Sequence, residues 1–245
     1  MIILDYNAIA IASIVVQKIA IDEDMIRHMI LNSIRMYNKK FRAQYGQMVI
    51  ANDSSNWRKD VFPQYKHSRK SNREASTIDW TEVFRIINLI FEELGDNLPY
   101  KTVRVSGCEA DDIIGALVER TQEFGKHDEV MIISADKDFI QLQRYKNVRQ
   151  FSPMTKKFIE HSDPTEYLFE HILKGDSGDG VPNVLSPDNT FSDSIRQSPM
   201  TKKKIEGFRV PVDQLPDVMG EEVYRNYCRN KRMIDLTQTP TDLVE

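Results

Sequence analysis

Val130-Met131-Ile132-Ile133-Ser134-Ala135-Asp136-Lys137-Asp138 sets the pattern from which the rest of the chain is read. The apolar run VMIIS is too short for a helix and has no alternation, so it reads as a strand buried on both faces. It leads directly into two aspartates. Three other short runs behave the same way. Met1–Leu4 (MIIL) is followed by Asp5, and Gln47–Ala51 (QMVIA) by Asn52 and Asp53. Thr102–Val105 (TVRV) is followed by Ser106-Gly107-Cys108-Glu109-Ala110-Asp111-Asp112.

Helical patterns lie between these runs. From about Asp22, Ile26, Met29, Ile30, Ser33, Ile34, Tyr37 and Phe41 share one stripe. A second helix begins at the N-cap Asp79, with Glu82 three residues on, and buries Val83, Ile86, Ile87, Ile90, Phe91 and Leu94. A third spans about Ala110–Phe124. Asp163-Pro164 caps a fourth that runs to about Lys174. Strands alternating with helices predict an α/β fold with a mainly parallel sheet flanked by helices.

A parallel sheet gathers the C-terminal ends of its strands on one edge. Asp5, Asp53, Glu109, Asp111, Asp112, Asp136 and Asp138 would meet there. One aspartate after a strand is commonly a cap or turn residue, and Asp112 could simply suit a helix start. Four strands ending this way point instead to cations that neutralise the acids. With no His or Cys in the set, the cation would be hard, Mg²⁺ or Mn²⁺. So many acids imply two such ions and phosphoryl chemistry.

The stretch Trp57–Arg73 (WRKDVFPQYKHSRKSNR) carries Arg58, Lys59, Lys66, Arg69, Lys70 and Arg73 against Asp60 alone, a net charge of +5. Trp57, Phe62 and Tyr65 are interleaved with these bases, a mixture that suits phosphates and stacked bases and equally suits a solvated loop. Gly175-Asp176-Ser177-Gly178-Asp179-Gly180 reads, on composition alone, as a turn-rich loop. The chain has 245 residues and a formal net charge of −4. That balance argues against a nucleic-acid partner unless acids and bases are segregated, as they are here. Two distant cysteines, Cys108 and Cys228, suggest a reducing cytoplasm rather than a disulfide framework. The apolar run 8–16 lacks the basic flank of a signal peptide and is too short to span a bilayer, so it reads as core and no membrane is expected.

In order, Glu109-Ala110-Asp111-Asp112, Ser134-Ala135-Asp136-Lys137-Asp138 and Gly175-Asp176-Ser177-Gly178-Asp179 resemble the motifs E-A-D-D, S-x-D-x-D and G-D-x-x-D. These mark the 5′-nuclease superfamily of flap endonucleases, phage 5′-exonucleases and the 5′-nuclease domains of bacterial DNA polymerases. Tyr65-Lys66-His67-Ser68-Arg69 matches that family's Y-K-x-x-R. Met29–Ile34, Gln150–Met154 and Ile172–Asp176 resemble the ribonuclease H branch of T-even-type phages, and a weaker likeness continues through Tyr224–Leu243.

The resemblance implies a PIN-like 5′-nuclease fold with a helical arch at about 54–78. It divides the chain into a nuclease domain, 1–174, and a small DNA-binding subdomain, 175–245, of altered helix–three-turn–helix type. It implies two Mg²⁺, with Mn²⁺ able to substitute. Asp5, Asp53, Glu109 and Asp111 would hold the first, directly or through water. Asp136, Asp138, Asp176 and Asp179 would serve the second, with Asp112 in support. Lys66 and Arg69 would steer the scissile phosphate and stabilise its charge. Trp57, Arg58, Lys59, Tyr65, Lys70, Arg73, Lys202, Lys203 and Lys204 would contact nucleic acid.

The implied activity is 5′-3′ exonuclease and flap endonuclease cleavage of DNA and RNA–DNA duplexes, removing RNA primers in phage replication. A monomer is expected, with a single-strand-binding protein or a clamp as candidate partners. Four departures bear on this. Asn183 stands where the family has Gly, a place Asn fills by tolerating the left-handed region, and Leu185–Gln197 reads as an irregular insertion. The chain also ends earlier than that branch, so a C-terminal helical region is expected to be missing, and it starts on the first strand with no clamp-binding extension. A PIN-like endoribonuclease is usually shorter and lacks the arch and the G-D-x-x-D loop. A dehalogenase-type phosphatase needs D-x-D on the first strand, where Asp5-Tyr6-Asn7 stands. A non-catalytic binder of branched DNA would not need all nine acids.

Overall fold

The computed structural model describes residues 1–15, 21–123 and 127–244, with the side chains of Val15 and residues 70–72 excepted. They form two compact units: Met1–Ser55, Thr77–Ser162 and Thr241–Glu245 in the first, Asn56–Ser76 and Asp163–Pro240 in the second.

The first unit is built on six strands: β1 (Ile2–Asp5), β2 (Met48–Ala51), β3 (Lys101–Val103), β4 (Val130–Ile133), β5 (Val148–Ser152) and β6 (Lys157–Ile159). Their order is β3-β2-β1-β4-β5-β6. All neighbours are parallel except β5 and β6, which pair antiparallel. The four expected strands are present, each within a residue or two of its anticipated ends. The fifth and sixth were not anticipated, because Val148-Arg149-Gln150-Phe151-Ser152 mixes polar with apolar residues.

The order of the strands reverses at β1, with β2 on one side and β4 on the other. Such a switch point opens a crevice at the strand C-termini.

Helix Glu23–Tyr45 starts where Asp22 accepts the Met25 N–H at 2.9 Å and buries Ile26, Ile30, Ile34, Tyr37, Phe41 and Tyr45. Helix Trp80–Asn97 starts at Asp79, which accepts from Thr81 and Glu82, and it buries the six residues its periodicity predicts. Glu82 does not complete a capping box; it turns to Arg85, 2.8 Å away. Both helices share one core with Ile2, Leu4, Ile50, Met131 and Ile133, where each fully buried isoleucine stabilises by about 2 kcal/mol. The apolar run after Asp5 forms helix Tyr6–Val15, with Ile9 and Ala10 buried. The remainder of that run lies outside the described residues. So does Phe124, the anticipated end of a helix described as Ala110–Arg120.

The second unit contains helices Arg58–Val61, His67–Glu74, Pro164–Lys174, Lys202–Gly207, Leu215–Met219 and Glu221–Ile234. The anticipated domain boundary after Lys174 falls inside it, because Pro164–Lys174 packs with Glu221–Ile234. Residues 175–201 form turns rather than a helix. Asn183 is not in the left-handed region. It is buried and acts through its amide: Oδ1 accepts from Leu185 N and Ser186 Oγ, and Nδ2 donates to the Ser198 carbonyl at 2.7 Å. One asparagine thereby closes the irregular loop that a helix would otherwise replace. Asn226 and Asn230, both buried, fasten further carbonyls: Asn226 those of Val184 and Ser186, and Asn230 those of Pro182 and of Ile172 in the preceding helix. Among the described residues, no helix is long and apolar enough to cross a membrane.

Candidate active site at the strand ends

In the first unit, Asp5 closes β1 and is only 7% exposed. Its Oδ1 accepts the Ala8 N–H at 3.1 Å and its Oδ2 accepts the Ser134 hydroxyl at 2.9 Å. Asp53, beyond the end of β2, accepts from Asn7 Nδ2 and from the Ala110 N–H, each at 2.7 Å. The Ala110 bond ties Asp53 to the start of helix Ala110–Arg120, where a carboxylate also meets the positive end of the helix dipole. The Asp136 N–H donates to Ser134 Oγ at 3.1 Å, so one hydroxyl spans the acids that follow β1 and β4. Asp138 donates its N–H to Asp136 Oδ1 at 3.0 Å.

Burial, then the nearby Asp53 and Asp136 carboxylates, push Asp5 up to about 7, against the hydrogen bonds from Ala8 and Ser134. The donors to Asp5 and Asp53 are neutral. A carboxylate with its ionisation suppressed beside further carboxylates is a donor set that lacks positive charge, and a hard divalent cation fits it. Asp112 behaves differently from Asp5: it is 1% exposed, and its Oδ2 accepts the Glu109 N–H at 3.0 Å, closing the helix start. That is the bland role open to it from sequence. Glu109 is buried and Asp111 half-buried at the same helix start.

In the second unit, Gly175 follows helix Pro164–Lys174 at φ +67, and a Cβ there would lie 2.4 Å from the Val181 carbonyl oxygen. Only glycine permits that turn. It sets Asp176, whose Oδ1 accepts from Gly178 N at 2.7 Å and Asp179 N at 3.1 Å, and whose Oδ2 lies 3.4 Å from His171 Nε2. The His171 hydrogen bond, assisted by those two N–H groups, holds Asp176 below the usual carboxylate range despite partial burial. Asp179 receives Tyr65, Lys66 and Arg69.

The basic stretch is only partly on the surface. Lys59, Arg69 and Arg73 are exposed, as are Lys202, Lys203 and Lys204, while the Lys70 side chain lies outside the described set. Trp57, Arg58 and Tyr65, expected at a nucleic-acid surface, are buried. Arg58 is 2% exposed because its Nε donates to the Met233 carbonyl at 2.9 Å and its guanidinium stacks on Trp57. The sequence showed a charge and an aromatic; it did not show that they satisfy one another.

Four residues of these sites carried no role in the sequence reading. Ser134 and Asn7 orient Asp5 and Asp53. Gln150, fully buried on β5, donates to the Ser134 carbonyl at 3.1 Å and the Asp136 carbonyl at 2.5 Å, fixing the turn after β4. His171 stands against Asp176. A polar residue interrupting a buried strand was the available signal for Gln150.

A family model described as 5′-3′ exonuclease, N-terminal resolvase-like domain, matches residues 6–170. This chain belongs to the 5′-3′ exonuclease family. Its family relatives include ribonuclease H of Enterobacteria phage T4, 32% identical over 98% of this chain and 82% of that protein. Flap endonuclease Xni of Shewanella oneidensis is 26% identical over 56% of this chain and 51% of its own. Among solved structures, the flap endonuclease of bacteriophage T5 in a pseudo-enzyme-product complex with DNA and metal ions aligns at a TM-score of 0.68. Identity there is 18%, with 99% of this chain and 94% of that one covered, which bears out the mainly parallel α/β fold. The chain is thus a nuclease of the 5′-3′ exonuclease family, and the family match contains every acid assigned to the strand ends except Asp5.

Proposed function

We propose that this nuclease hydrolyses phosphodiesters near the 5′ ends of RNA–DNA and DNA duplexes, flaps included, and removes RNA primers during phage DNA replication. The reading is supported chiefly by the acid group around Asp5, whose ionisation is suppressed by burial and by its carboxylate neighbours. Such a group is suited to two divalent cations, Mg²⁺ or Mn²⁺, which when bound activate water and stabilise the departing oxygen.

The chain's own residues supply placement. Asp5 and Asp53, held by Ser134, Ala8, Asn7 and Ala110, present fixed oxygens, and Glu109 and Asp111 flank that Ala110 at a helix start. Asp136 and Asp138, on a turn held by Gln150, are proposed ligands of a second cation, with Asp176 joining that set on family resemblance. Asp112 supports the helix start. Lys66 and Arg69 meet the charge that develops on the scissile phosphate. Lys59, Lys70, Arg73 and Lys202–Lys204 hold the nucleic-acid backbone, a sequence-independent attraction weakened by salt.

The test is incubation with a 5′-labelled, RNA-primed duplex and with a 5′-flap, in Mg²⁺ and in EDTA. Short 5′-phosphorylated products that require the metal are expected. Cleavage in EDTA, or none on any 5′-ended substrate, would overturn the proposal.

A further inference from the structure

Family resemblance counts Asp179 among the metal-holding acids, yet its surroundings differ from those of Asp5. The Tyr65 hydroxyl donates to Asp179 Oδ2 at 2.8 Å, Lys66 Nζ lies 3.3 Å from that same oxygen, and Arg69 Nη2 occupies Oδ1. Both oxygens therefore carry a cation, and a divalent ion at either would be repelled by a lysine and an arginine already there. The backbone is fastened as well, with the Lys66 N–H donating to the Asp179 carbonyl at 2.7 Å. Lys66 is one of three described non-glycine residues at positive φ (+55), a conformation that persists only where its surroundings impose it. Gly180 completes the clasp: at φ +72, a Cβ would lie 3.0 Å from the Gln64 carbonyl oxygen. Two segments distant in sequence thus approach closely at Asp179.

We propose that Asp179 is a positioning residue for Lys66 and Arg69 rather than a metal ligand. Its carboxylate and the Tyr65 hydroxyl fix where the two bases point, so that they are oriented before a phosphate arrives. The inference rests on the phosphate-steering role proposed above for those two bases.

Asp179→Asn, Lys66→Ala and the double variant separate the possibilities. Calorimetric titration of the metal-free proteins with Mn²⁺ should give Asp179→Asn the wild-type stoichiometry and an affinity within about 3-fold. Amide exchange at residues 65–69 should accelerate at least about tenfold in Asp179→Asn. Turnover should fall by about 10²-fold, with KM little changed, and the double variant should lose much less than the product of the two single losses, because Asp179 acts in part through Lys66. Loss of a bound Mn²⁺ in Asp179→Asn, or strictly additive losses in the double variant, would overturn the proposal. Should Asp179→Asn fold poorly, Lys66→Ala decides on its own: a metal-ligand Asp179 freed of its cation would bind Mn²⁺ more than about tenfold tighter, whereas a tether predicts little change. The Mn²⁺ and exchange measurements need no cleavage, so an inactive wild type would count against the function and leave this inference standing or falling by itself.

Discussion

The two units treat their aspartates in opposite ways. In the first, Asp5 and Asp53 are held by neutral donors, and Asp5 is pushed up to about 7. In the second, Asp179 is clasped by Lys66 and Arg69, and Asp188 by Arg225 and Arg229, which hold it below the usual carboxylate range against partial burial. Neutral donors fix a carboxylate's direction without satisfying its charge; cationic partners do both. The first arrangement leaves a demand for positive charge from outside the chain. The second spends the chain's own cations on architecture and aiming.

Removing a proposed metal ligand should have the largest effect. Asp138→Asn is expected to lower cleavage of a 5′-flap or RNA–DNA substrate by about 10³-fold or more while DNA binding, read by fluorescence anisotropy, stays within a few-fold. Lys66→Ala should cost about 10²-fold in turnover and much less in binding; a loss confined to binding would reduce the arch to an anchor.

Stability sharpens the contrast further. Arg58→Ala deletes a buried guanidinium and strands the Met233 carbonyl, and should destabilise by about 3 kcal/mol in denaturant titration. Asp5→Asn should do the reverse. A carboxylate raised in the folded state contributes stability below its ordinary value that is lost as pH rises through about 7. The metal-free variant should therefore be more stable than wild type by about 2–4 kcal/mol at pH 8, with the difference vanishing towards pH 4 and shrinking when Mg²⁺ is added. A difference independent of pH would show that Asp5 is not the strained carboxylate. Asp176, held low by His171, should act with the opposite sign, losing stability as pH falls.

Much of the first unit was legible because β1, β2 and β4 are short, largely apolar runs and the long helices carry regular stripes, so local pattern and tertiary burial agree. The acids were legible because strand ends of a parallel sheet share an edge. Less legible were features fixed by distant partners. Trp57 and Arg58 looked like a surface for nucleic acid because nothing near them announced the Met233 carbonyl. Asn183 looked like a substitute for glycine, whereas its side chain does the closing. β5 escaped notice because Gln150, buried to orient the turn at Asp136, interrupts its apolar pattern.

The second unit is assembled from two stretches, residues 56–76 and 163–240. Tyr65 finds Asp179 across 114 positions, and Arg58 finds Met233 across 175. During synthesis at roughly 5–20 residues per second, the arch emerges many seconds before the residues that hold it. For that interval its aromatics and bases have no docking site. Contacts of such sequence separation slow folding. Arrested chains ending near Ser162 should accordingly be cut by protease between Asn56 and Ser76, and full-length chains should not. The order in which the ribosome delivers the two stretches leaves residues 56–76 waiting for residues 163–240 before they acquire their contacts.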